Sequence, residues 1–393
     1  MTPKSPDTAP SDASVLSPAE LRLLVQRVFQ PTAADSGLVI MVDLPDDRRT
    51  DSPQWAERRQ MAVQWYQALT AEREAVPLKR VSLAWYRHAG GNNADLPDSC
   101  ILGDGTTIPH SIESLAGPAI PFSELFREHS MVLAPTELSA TAPLKMATRT
   151  AGFRAATMPG FSPAMIPALK LDYVEINRRV NLLKEWLDPA TAAHFVFEVG
   201  TQIHHLVLDL RHHTGHASGG LFPHNGVAGN LPSGEAYIVP YEGHIAGDPS
   251  KSQGTLPVQI EGEVVVYAIE ANKAVKVLSE GPVSSREAAH LVAEPAYANL
   301  AELGLGVLGD FGIKPTGSIL LDEKLGLHIA FGRSDHFGGS VGPADFSSPD
   351  AVIHVDRVFI PETQPAVRVR EVRLATPGRQ DRTIIVNGIF VGL

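Results

Sequence analysis

Apolar positions recur along this chain with two different periods. After Ser17-Pro18-Ala19-Glu20, the segment LRLLVQRVFQ carries the spacing of a buried helix face. Ser at the N-cap, Pro at the first helical position and Glu at the third make a capping box. GLVIMVDL (37–44) is a short apolar run that reads as a buried strand. Residues 52–72 bring Trp55, Met61, Ala62, Trp65 and Leu69 near one helical face, and RVSLAWY (80–86) alternates like a strand. SMVLAPT (130–136) and FRAATM (153–158) predict further strands, and 172–187 an amphipathic helix. Strands alternating with helices predict a parallel α/β layer in the first half.

The pattern changes near residue 193. HFVFEV (194–199), GTQ and IHHLVLDL (203–210) read as a hairpin with a three-residue loop. Strand-like runs then dominate at 235–240, 264–269, 327–332, 352–360 and 383–391. One helix interrupts them, predicted over 284–306 and broken at Pro295. The expected organisation is a disordered tail (1–16), an α/β domain with a parallel sheet (17–195) and a mostly β, α+β C-terminal metal-site domain (196–393). No repeat at a fixed period is visible.

Composition narrows the function. The chain has 393 residues, 44% of them apolar, and a net charge of −11 without a dense basic tract. Phosphate backbones need clustered Lys and Arg, so nucleic acid is not an expected partner. No window reaches the ~18 apolar residues of a membrane span, and the first residues lack the apolar core of a signal peptide. The single cysteine, Cys100, excludes an intrachain disulfide and multi-cysteine zinc sites. It lies in a polar loop without a patterned His, which argues against a nucleophile.

A metal must therefore be held by His or carboxylates. In VIHVDRVF, His354 and Asp356 share one face of a strand, one pleat apart. In NLPSGE, a tight turn delivers Glu235 at the start of a strand. Glu302 stands in the apolar NLAELGLG, where an ionised carboxylate needs a compensating cation if buried. His328 lies between Leu327 and Ile329. Each also has an ordinary reading: a solvated strand face, an exposed turn, a surface carboxylate, a hydrogen-bonded core histidine. Asp322-Glu323-Lys324 reads as a solvated turn with an internal ion pair. His212, His213, His216 and His224 belong to a Gly-rich segment, read either as a substrate loop or as solvated chain. No dinucleotide fingerprint, P-loop or nucleophile elbow is present.

TAPLKMA (141–147), Gly200-Thr201, NLPSGEAYIVP, NLAELGLG, LDEKLGLHIAFG and a Gly338-Gly339 turn leading to IHVD stand in the order of the M29 metallo-aminopeptidases, the aminopeptidase T group, which the last 200 residues resemble. The resemblance implies metal ligands at Glu235, Glu302, His328, His354 and Asp356, with Glu235 and Glu302 also the catalytic candidates. It implies one or two divalent ions (Zn, Co, Mn or Fe), a cytoplasmic homodimer, and hydrolysis of a small or peptide-like amide. The family Tyr beyond HIAFG is missing; Asp335 stands about there. The chain is more distantly similar to the dihydroxypyridine ring-cleaving dioxygenases. Those use one iron held by two His and one Asp, and the similarity implies an oxygenase acting on an N-heterocyclic or hydroxylated aromatic as the alternative.

Overall fold

The computed structural model describes residues 15–393; most of the expected N-terminal tail lies outside the described residues. The chain divides into two compact units. The first runs to Val174 and is completed by Gly220–Ser233; the second comprises Glu175–Gly219 and Gly234–Leu393. The sequence suggested one crossing near 195. Instead the helix Tyr173–Leu187 belongs from Glu175 onward to the second unit, and a later segment returns to the first.

The first unit is α/β. Its seven-stranded sheet has the order 228–230, 154–157, 131–134, 38–44, 81–87, 99–102, 119–121. The first five strands are parallel and the last two form an antiparallel edge. All seven residues of the central strand Leu38–Leu44 are buried, as a strand covered on both faces requires. Its one polar residue, Asp43, accepts N–H bonds from Glu137 and Leu138, and burial pushes its carboxyl up to about 6. The expected capping box closes the helix Pro18–Phe29, with Ser17 Oγ accepting from the Glu20 N–H and Glu20 Oε2 accepting from the Ser17 N–H. Cys100 is buried, and desolvation pushes its thiol up to about 12, so it is a core residue and not a thiolate.

The second unit is built of two antiparallel sheets. Eight strands follow the order 273–277, 263–270, 253–260, 202–209, 192–199, 368–375, 382–386, 389–390; five follow 354–358, 327–332, 300–306, 235–238, 216–218. The first hairpin, Ala192–Val199 with Gln202–Asp209, turns through two residues, Gly200 and Thr201, and not three. Gly200 takes the left-handed φ of +58° that such a turn demands.

One expectation fails in a way that bears on function. The helix predicted over 284–306 ends early: Pro282–Ala293 is helical, Pro295–Ala298 is a single 3-10 turn, and Leu300–Gly306 is a fully buried strand. Glu302 thus lies at the centre of the five-stranded sheet. The sheet's apolar face packs on the eight-stranded one: Phe331 lies 5.1 Å from the Tyr267 ring, and Phe197 lies 5.1 Å from that of Phe359. Among the described residues, no helix is long and apolar enough to cross a membrane.

Candidate metal centre

Register assembles the site. Residues directly opposite in an antiparallel ladder share a face. Glu302 stands opposite Ala330, which stands opposite Asp356; Gly332 faces His354; Gly304 faces both His328 and Tyr237; Gly306 faces Glu235. All five expected ligands therefore project from one face of one sheet, while Leu303, Leu305, Ile329 and Phe331 fill the other.

The small residues on that face are what make room. A Cβ on Gly304 would lie 1.9 Å from Nε2 of His328, so the ring occupies the space a side chain would take. A Cβ on Gly306 would lie 2.2 Å from the Lys324 carbonyl carbon, so the turn Glu323–Leu325 presses onto the strand beside Glu235. The alternation Glu-x-Gly-x-Gly is thus a carboxylate followed by two steric vacancies.

Two groups of three result. Glu235, Glu302 and His328 offer ligand atoms within 4.8 Å of one another, and so do Glu302, His354 and Asp356. Glu302 belongs to both: Oε1 lies 3.4 Å from His328 Nε2, and Oε2 lies 3.5 Å from His354 Nε2. Asp356 Oδ1 is 3.3 Å from His354 Nε2 and 4.0 Å from His328 Nε2; Glu235 Oε2 is 3.7 Å from His328 Nε2. Charge-assisted hydrogen bonds are shorter, about 2.7–2.9 Å. Two ligand atoms each ~2.1 Å from a tetrahedral ion stand ~3.4 Å apart, which is the spacing seen.

Burial makes the arrangement costly without a cation. Glu302 is 3% exposed and His328 fully buried. Glu235 Oε2, His328 Nδ1 and Asp356 Oδ1 are buried and have no hydrogen-bond partner among the described residues. Desolvation opposes charge on Glu302, but the imidazoles of His328 and His354 outweigh it and hold the carboxyl well below the ordinary range. Desolvation likewise opposes charge on His328, yet Glu302, Asp356 and Glu235 raise it to about 9, and His354 is raised too, chiefly by Asp356. Protons sit where cations fit. His354 Nδ1 donates to the Arg333 carbonyl at 2.7 Å, which aims Nε2 at the two carboxylates.

Several participants were not expected. Lys324 is 1% exposed, and its ammonium pairs with Glu235 and Glu323. The 322–324 segment is therefore no solvated turn: Asp322 accepts the Thr316 and Gly317 N–H groups, while Glu323 and Lys324 face the site. Burial pushes Glu323 up to about 8, with Glu235 and Asp356 adding to it and Lys324 opposing. Tyr237 stacks on His216 and meets Phe337 edge-on, and Phe337 in turn meets His354. Glu242 holds the turn carrying Phe337 by accepting from Ser334 Oγ at 2.5 Å and Ser340 Oγ at 2.6 Å. Asp335, at the position of the missing Tyr, pairs with Arg333 and belongs to neither group.

The His-rich segment separates. The exposed His212 pairs with Asp248 at 2.9 Å, and the half-buried His213 with the Val239 carbonyl at 2.8 Å. His216 opens a strand of the five-stranded sheet. His224 lies in the stretch that completes the first unit.

No protein-family model matches the sequence, and no curated protein sequence matches it. Two solved structures are similar over nearly the whole chain. The 2,5-dihydroxypyridine dioxygenase from Pseudomonas putida KT2440 has a TM-score of 0.60 at 12% identity, covering 96% of this chain and 99% of its own. Wild-type AmpT from Thermus thermophilus has a TM-score of 0.53 at 15% identity, covering 95% and 98%. These likenesses establish the fold. At such identity they do not decide between the two activities.

Proposed function

We propose that this chain is a metal-dependent hydrolase acting on an amide or peptide-like bond. The observation that carries the reading is Glu302, whose two oxygens face two different imidazoles, so that one carboxylate is shared by two three-residue groups. Glu235, Glu302 and His328 would hold one divalent ion, and Glu302, His354 and Asp356 a second. A His and carboxylate set suits Zn, Co, Mn or Fe. Such ions, when bound, supply Lewis-acid polarisation of a carbonyl and a water acidic near pH ~7.

The chain's own groups do the rest. The face of the sheet bearing Glu302 gives the substrate a rigid floor, and the Arg333 carbonyl keeps the His354 ring in one tautomer and orientation. Glu235 and Glu302 supply the carboxylate ligands, and a carboxylate of the cluster takes up the proton released on attack. Phe337 and Tyr237 form an aromatic wall beside His354. The substrate is a small molecule or short peptide.

A second reading has its own support. His354 and Asp356, 3.3 Å apart, supply one His and the carboxylate of a two-His, one-carboxylate set of the kind that holds a single non-haem iron, with a third ligand to complete it, and one similar fold is that of a 2,5-dihydroxypyridine dioxygenase. One experiment separates them. Purified protein is analysed for metal by mass spectrometry, then assayed with amino-acid p-nitroanilides, and separately with 2,5-dihydroxypyridine and Fe(II) in an oxygen electrode. The hydrolase reading expects two ions per chain and hydrolysis that a chelator abolishes and metal restores. Oxygen uptake with ring cleavage and no hydrolysis would refute it.

A further inference from the structure

We infer that Lys324 is a positioning residue that turns Glu235 into a one-oxygen ligand and so sets the affinity of the Glu235–Glu302–His328 half of the centre. The inference rests on the two-ion reading above and adds to it a residue outside both ligand groups.

The geometry is specific. Nζ of Lys324 lies 2.5 Å from Oε1 of Glu235. The other oxygen, Oε2, is the one left buried without a hydrogen bond and aimed toward His328 Nε2 at 3.7 Å. A carboxylate free to rotate can present one oxygen, the other, or both. With Oε1 held by an ammonium, only Oε2 is available, and the rotamer freedom that binding would otherwise remove is already lost.

The clamp is built into the backbone. Lys324 lies in a 3-10 turn, and the Gly306 N–H donates to the Gly326 carbonyl at 2.9 Å, tying that turn's end to the strand paired with Glu235. Only glycine at 306 allows the approach, since a Cβ there would overlap the Lys324 carbonyl. Glu323 accepts from the same ammonium on its other side. Among the described residues, the second half of the centre, Glu302 with His354 and Asp356, has no such lysine in its ion pairs.

Two roles predict opposite signs. If Lys324 merely offset the negative charge of the cluster, removing it would leave a more negative pocket that binds cations more tightly. If it positions Glu235, removing it frees the carboxylate and weakens one ion. Loss of such an orienting partner typically costs about 10- to 100-fold in metal affinity.

The test uses the full chain, stripped of metal and titrated with Zn2+ alone against a chelating dye, with bound metal counted by mass spectrometry. In Lys324→Met we expect one of the two ions to bind about 10- to 100-fold more weakly and the other as in wild type. Lys324→Gln keeps an N–H donor for Glu235 and is expected to stay within about 10-fold of wild type. Circular dichroism of the metal-free proteins checks folding, and if the Met variant does not fold, Lys324→Ala, which likewise removes the donor, carries the test. In the variant that lacks the donor, tighter binding of either ion, equal weakening of both, or unchanged affinities would overturn the inference. Wild-type protein that binds no metal would overturn the two-ion reading as well, so the two failures are distinguishable.

Discussion

Adding one methyl group at Gly304 tests the site most directly. The new Cβ would meet His328 Nε2 at 1.9 Å, whereas ordinary contact begins near 3.4 Å, so the ring must retreat by about 1.5 Å (3.4 − 1.9). It has no free space to take, being fully buried. Overpacking of this kind costs about 1–3 kcal/mol of stability, because Gly304 is not in the left-handed region and its backbone accepts alanine. The functional cost is larger. Nε2 now lies 3.4 Å from Glu302 and 3.7 Å from Glu235, and displacing a reacting or ligating atom by ~1 Å costs on the order of 100-fold. Gly304→Ala should therefore fold, melt somewhat lower, and lose the ion of the Glu235 group while keeping the other. Metal counting and a thermal melt on the same preparation read both effects. A variant that binds both ions with wild-type affinity would show that His328 is not a ligand and that the vacancy at 304 serves packing alone.

Two further outcomes follow from the charges. Both imidazoles are raised, His328 to about 9, so at pH 7 they are protonated in metal-free protein and metal uptake should release about two protons per chain. Affinity then rises with pH until it passes the raised values; calorimetry in buffers of different ionisation heat measures the release, and zero protons would contradict the assignment. In the first unit, Asp35 accepts both terminal nitrogens of the buried Arg154 at 2.7 and 3.0 Å, and although burial opposes its charge, the guanidinium holds its carboxyl well below the usual aspartate range. A depressed carboxylate stabilises above its unfolded pKa of ~3.9 and loses that contribution as pH falls. Asp35→Asn should lower the urea midpoint at pH 7, costing about 3–5 kcal/mol by leaving Arg154 uncompensated, and should flatten the acid limb; midpoints that run parallel with pH would refute this.

The ligands were legible where strand alternation alone decides a face, as for His354 and Asp356. Glu235 was legible as a carboxylate delivered by a tight turn. Glu302 was legible as a residue but not as part of a strand. Ala, Leu and Glu in NLAELGLG favour a helix, and Leu300 with Leu303 matches helical spacing; pairing on both sides in the middle of a sheet overrides that preference. The glycines of the same segment held the missing signal, since Gly304 and Gly306 make no sense in a helix interior and full sense opposite an imidazole and a pressed turn. Lys324 was illegible because Asp-Glu-Lys in isolation is what a solvated turn looks like. Only the ladder between Glu235 and Gly306 brings its ammonium into the pocket. The return of residues 220–233 to the first unit could not be read either, because a three-residue strand such as Ala228–Asn230 leaves too short a pattern.

That returning segment also shapes how the polypeptide emerges during synthesis. Arg154–Thr157 has its outer neighbour, Ala228–Asn230, only after roughly seventy more residues have been made. At about 5–20 residues per second this leaves an unpaired ladder open for several seconds on the ribosome. The N-terminal layer is therefore finished only after translation of the β-rich part has begun.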